Sequence, residues 1–84
     1  MSEHSDWDLV ARANDGDSAA FAELVERYHR PVVHFTQRMV GSREDAEDIA
    51  QESFVRVYRY LHRLEPQAKF STLLFGISRN LALN

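Results

Sequence analysis

Glu26 and His29 stand in Glu26-Arg27-Tyr28-His29, a Glu-x-x-His spacing that puts a carboxylate and an imidazole on one helix face. Di-iron helical proteins use this motif twice, with further inward glutamates, to hold metal; here it occurs once. The same residues serve equally as ordinary helix surface beside an apolar Tyr28. His4, His34 and His62 have no ligand spacing. A carboxylate–histidine bundle stays as an alternative lacking its second half, and neither metal nor cofactor is expected. The sequence has no Gly-rich phosphate loop, no Gly-x-Ser-x-Gly and no Cys, so the common catalytic signatures are missing and no enzyme is expected.

Two other constellations carry charge rather than catalysis. Asp45, Asp48, Gln51, Glu52 and Tyr58 fall at i, i+3, i+6, i+7 and i+13, so the first four crowd one stripe of a helix. Asp48 and Glu52 form a like-charge i, i+4 pair that local helix stability does not favour. One reading is a solvated acidic face at the favourable end of the helix dipole; the other is a docking surface for a basic partner. Further along, Arg56, Arg59 and Arg63 make a basic stripe interleaved with Tyr58, Tyr60 and His62, followed by Lys69, Arg79 and Asn80. Cations among aromatics suit a single strand, whose phosphates need counter-charge and whose unstacked bases need a planar or apolar pocket. The alternative is that the tyrosines are partly core and the arginines snorkel over them.

The elements that must position these residues are legible from periodicity and punctuation. The chain has 84 residues, 44% hydrophobic and 27% charged, which allows one domain held by packing, since Cys count is zero. No run approaches a membrane span, and the acidic Met1 to Asp8 stretch has no export pattern, so a cytoplasmic protein without membrane insertion is expected. Net charge is -3, but residues 1–52 hold twelve of the thirteen acids and five of the ten basic residues, a net of -7, leaving +4 for residues 53–84. Such asymmetry points to two surfaces with different partners.

Four helical segments follow, and no β-type alternation competes with them. The first runs from about Asp6 to Ala13 with Ser5 as N-cap, and Asn14-Asp15-Gly16-Asp17 supplies a turn. In the second, Phe21, Leu24, Val25, Tyr28, Val32, Phe35 and Met39 form one stripe, with a kink or break expected near residues 28–31 because of Pro31 and a C′ glycine at Gly41. The third opens on the near capping box Ser42-Arg43-Glu44-Asp45 and is expected to reach about Leu64, before Pro66, with apolar Ala46, Ile49, Ala50, Phe54, Val57, Tyr58, Leu61 and Leu64. The fourth starts at Phe70-Ser71, with Ser71 as cap, Phe70 stapled to Phe75, and Leu73, Leu74, Ile77 and Leu81 lining a face. The expected fold is a compact all-α bundle of about four helices.

The segment Asp45-Ala-Glu-Asp-Ile-Ala-Gln-Glu-Ser-Phe-Val-Arg-Val-Tyr58, followed by Phe70-Ser-Thr-Leu-Leu-Phe-Gly-Ile-Ser-Arg-Asn-Leu-Ala82, resembles region 2 of bacterial sigma factors of the extracytoplasmic-function group, in the sigma-70 family. Upstream, Gly16-Asp-Ser-Ala-Ala-Phe-Ala-Glu-Leu-Val-Glu-Arg-Tyr28 is similar to that family's opening helices, so the resemblance covers nearly the whole chain. It implies a transcription-initiation domain that binds RNA polymerase core through the β′ clamp helices and recognises the promoter minus-ten element, helping to melt it by capturing non-template-strand bases. By position, Asp48, Gln51, Glu52 and Phe54 would meet the polymerase, with Tyr58 near the same surface. Arg56, Arg59, Arg63, Lys69, Phe70, Ser71, Arg79 and Asn80 would lie towards DNA, the loop Glu65 to Ser71 resembling the segment that pockets a flipped base. An anti-sigma partner is a further implied interactor.

The chain departs from the family pattern at Leu73, where Trp is common, and at Gly76, where Arg is common. The family's second DNA-binding domain, which reads the upstream element, is expected to be missing from these 84 residues. A sigma-like interaction module without promoter recognition is the competing reading from a different class.

Overall fold

The computed structural model describes residues 4–84; Met1 to Glu3, the start of the acidic opening stretch, lie outside the described residues. Four helices follow in order: α1 (Asp6–Asn14), α2 (Ser18–Val40), α3 (Arg43–Arg59) and α4 (Phe70–Leu83), with a 3₁₀ turn at Leu61–Arg63 between α3 and α4. Among the described residues there is no strand, and the all-α bundle expected from periodicity is what forms.

Local chemistry sets most boundaries. The Ser5 hydroxyl accepts from the Asp8 amide (3.1 Å) and starts α1. Asp17 starts α2: one carboxylate oxygen accepts from the Ala19 and Ala20 amides at 3.1 and 3.2 Å, while the other pairs with Arg12 at 2.9 Å, so α1's last turn is tied to α2's first. The Arg12 guanidinium, and then the Ala20 amide, holds the Asp17 carboxyl below its ordinary range. Gly16 (φ 100°) and Gly41 (φ 76°) occupy backbone that side-chain-bearing residues disfavour; Gly41 ends α2 with its amide on the Gln37 carbonyl at 2.8 Å. Ser42 then caps α3 by accepting from the Asp45 amide.

Three boundaries differ from expectation. Pro31 does not break α2, which is helical from Ser18 to Val40. Proline forgoes one backbone hydrogen bond, but Pro31 sits on the exposed face while Leu24, Val32 and Val33 on either side are buried, and their packing outweighs one lost rung. Second, α3 ends at Arg59 rather than near Leu64. Tyr60 leaves helical geometry and the 3₁₀ turn swings Leu61 into the core beside α1. Third, Ser71 does not cap α4: Lys69 holds the cap position without a side-chain bond, and Phe70 is already helical. Phe70 is 1% exposed, and its ring contacts are Trp7 (5.8 Å, edge-on) and Tyr28 (5.8 Å), whereas the ring partner of Phe75 is Phe35 (5.1 Å). The helix start is thus fixed by tertiary burial of Phe70, not by a local staple.

The core draws on every element: Leu9 and Val10 from α1, Leu24, Val32 and Val33 from α2, Ala46, Ala50, Phe54 and Val57 from α3, Phe70 and Leu74 from α4. Full burial of each large side chain contributes about 1.5–3 kcal/mol, against about 0–1 kcal/mol for an exposed ion pair such as Arg43–Glu47, so packing dominates. Where α3 crosses α4, Ser53 and Ser78 meet at 2.8 Å, fully buried, and each also bonds the carbonyl one turn back in its own helix. These small residues let the two backbones approach while leaving no hydroxyl unsatisfied. Tyr58, counted among the apolar positions of α3, is 61% exposed and belongs to the surface.

Candidate functional site

Two concavities with no lining residue in common divide the surface. The first lies between α2 and α3, has a volume of about 440 Å³, and is walled by Phe21 and Val25 on one side and Phe54, Val55 and Tyr58 on the other. Asp48 and Gln51, with Glu47 and His29, form its polar edge. The groove is held open by Phe21 and Tyr58, whose rings meet edge-to-face at 5.1 Å. It offers an apolar floor with an acidic rim, the arrangement that suits a helix carrying apolar and basic side chains.

Four of the five residues assigned to the polymerase face, Asp48, Gln51, Phe54 and Tyr58, come together here. Glu52 does not line the groove. Its carboxylate accepts from Arg56 at 3.3 Å, which also relieves the like-charge pairing with Asp48. Sequence reasoning placed Phe21 and Val25 in the core and did not see them as groove wall. Their i, i+4 spacing was visible, but only the tertiary pairing of α2 with α3 decides which apolar side chains are left uncovered.

The second concavity, about 320 Å³, lies under the segment that joins the 3₁₀ turn to α4. Arg63, Leu64, Glu65, Gln67, Ala68 and Lys69 line it from the segment itself, Leu73 from α4, and Trp7 from α1. The Trp7 indole Nε1 donates to the Ala68 carbonyl at 2.8 Å. Arg63 is carried out of the α3 stripe by the helix's early end, and its guanidinium lies 5.7 Å from the centre of the Tyr60 ring, in cation–π range.

Of the residues assigned to DNA, Arg63 and Lys69 line this cavity and are exposed. Phe70 lies behind it in the core, and the half-buried Ser71 hydrogen-bonds towards Tyr28. Arg56, Arg59, Arg79 and Asn80 are exposed on α3 and α4 but do not line the cavity. Trp7 was not singled out in the sequence, where nothing distinguishes one aromatic in a short first helix from a core residue.

The Glu26–His29 pair is exposed on α2, and among the described residues no three His, Asp or Glu side chains converge on a point that could hold a metal ion. No helix of the described residues is long and apolar enough to cross a membrane.

The arrangement has close counterparts. The family described as Sigma-70 region 2 matches residues 24–84. The chain is 37% identical over 75 residues to the ECF RNA polymerase sigma factor SigW of Bacillus subtilis (strain 168), covering 89% of this chain and 40% of that protein. It is 40% identical over 85 residues to the ECF RNA polymerase sigma-E factor of Escherichia coli (strain K12), covering 100% of this chain and 44% of that protein. An engineered region 2 of sigmaE, solved by NMR in complex with GTAAAA, matches with a TM-score of 0.88 and 42% identity, over 100% of this chain and 88% of that one. The chain spans less than half the length of these curated relatives. Family match, sequence identity and fold agree: the chain belongs to the sigma-70 family, as a region 2 domain of the extracytoplasmic-function group.

Proposed function

We propose that this domain docks RNA polymerase core through the α2–α3 groove, seating the β′ clamp helices against Phe21, Val25, Phe54 and Tyr58 with Asp48 and Gln51 at the rim. The observation that carries the reading is the convergence of four position-matched residues on one apolar, acid-rimmed groove. Glu52 acts at its border through Arg56. The same domain recognises the promoter minus-ten element and helps open it by holding non-template-strand bases, the cavity of Arg63 and Lys69 being where an extruded base is taken up. Flipping a base costs a few kcal/mol, which stacking and phosphate contacts offset. The domain performs no covalent chemistry; polymerase supplies the catalysis. An anti-sigma factor that occludes the α2–α3 groove would compete directly with core.

The DNA half of the proposal is tested by single-strand binding across a salt series. Replacing both Arg63 and Lys69 with Ala is expected to weaken binding of a minus-ten oligonucleotide uniformly across sequences and to lower the salt slope by about 2, one per lost phosphate contact. An unchanged slope would move the DNA face elsewhere, and no binding by the unaltered chain would favour a sigma-like interaction module without promoter recognition.

A further inference from the structure

Trp7 answers to two fixed partners. Its ring stands edge-on to the buried Phe70 (5.8 Å, 87°), and its Nε1–H is held by the Ala68 carbonyl at 2.8 Å, across 61 positions of sequence. Both contacts leave the indole half-buried, with part of its surface lining the second concavity. The segment it meets has little order of its own: between Leu64 and Lys69 its printed backbone bond is Gln67 to Glu65. Trp7 thus pins the segment and shapes the cavity beneath it.

Within that cavity the indole is also the lone planar surface among the lining residues, since Leu73 from α4 is aliphatic and the rest are charged, polar or small. Charge around it favours an anionic ligand. Lys69 is exposed, Arg63 keeps its charge while resting on Tyr60, and the Glu65 carboxylate accepts from the Gln67 side chain at 2.8 Å. An unstacked base needs a flat partner and its phosphate needs a cation; both lie in one concavity of about 320 Å³.

We infer that Trp7 is the aromatic wall of the base-capturing cavity, so that α1, from the far end of the chain, takes part in reading the promoter strand. This rests on the promoter-strand reading above. Trp7 is the single tryptophan of the chain, so its fluorescence reports on this site alone. The single-stranded hexamer GTAAAA and its single-base variants, end-labelled, are titrated with the chain while oligonucleotide anisotropy and tryptophan emission are followed together. The expected result is quenched emission that tracks binding for at least one hexamer. Trp7→Leu is expected to bind that hexamer roughly 5- to 150-fold more weakly, the range of one base–aromatic stack, with Trp7→Phe in between and helical circular dichroism retained. Binding with unaltered emission and equal affinity in both variants would overturn the inference and leave the promoter-strand reading standing. If the folded, unaltered chain bound none of the hexamers, that reading would fall and take the inference with it.

Discussion

At Tyr28, charge and burial meet. Its hydroxyl donates to the Asp6 carboxylate, whose other oxygen is held by Arg27 at 2.8 Å; Arg27 also reaches the His4 carbonyl and Glu23. This cluster fastens the start of α1 to the middle of α2. The Arg27 guanidinium is held more firmly protonated, chiefly by its bond to Asp6. Burial, and then the bond to Asp6, pushes the Tyr28 phenol up to about 12 from its ordinary 10.0. A phenol whose proton is held more tightly in the folded state contributes stability that is complete below pH 10 and is lost as pH rises towards 12. Denaturant melts should therefore show stability falling across that window. Tyr28→Phe should be less stable at neutral pH by about 1–3 kcal/mol and show a flatter decline. Equal slopes for the two proteins would remove Tyr28 from the alkaline transition.

At the scale of the helix, what was readable in the sequence is what is decided locally. Ser5, Ser42 and Gly41 mark helix ends because a side-chain oxygen or a left-handed backbone acts within three or four residues. Where a boundary depends on distant partners, local rules gave the wrong answer: α3 stops early because Leu61 is buried beside α1, and α4 begins at Phe70 because that ring packs on Trp7 and Tyr28. Gly76 illustrates the opposite case. It lies exposed in mid-α4, and a Cβ added there would meet nothing within 4 Å. Gly76→Ala is expected to stabilise the domain by about 0.5–1 kcal/mol, since only backbone freedom in the unfolded chain is removed. A loss of stability in urea unfolding would mean that α4 is not held in this helical state.

Over the whole molecule, the division of charge foretold two surfaces, and the fold turns that division into two concavities. Neither could be drawn from the sequence alone, because each is completed by residues far apart in the chain: Phe21 and Val25 with Phe54 and Tyr58 in one, Trp7 with residues 63–73 in the other. The acidic stripe was visible on α3, but its apolar floor exists only once α2 packs beside it. That floor explains why an exposed Tyr58 stands against Phe21 instead of being replaced by a charged residue. The most direct test of the account is a calorimetric titration of a β′ clamp-helix fragment into the unaltered domain and into Asp48→Arg, at low and physiological salt. Binding by the unaltered domain, weakened by salt and reduced at least tenfold in the variant while helical circular dichroism stays intact, is the predicted result. Equal affinity in the two proteins, or no binding by a folded unaltered domain, would contradict it.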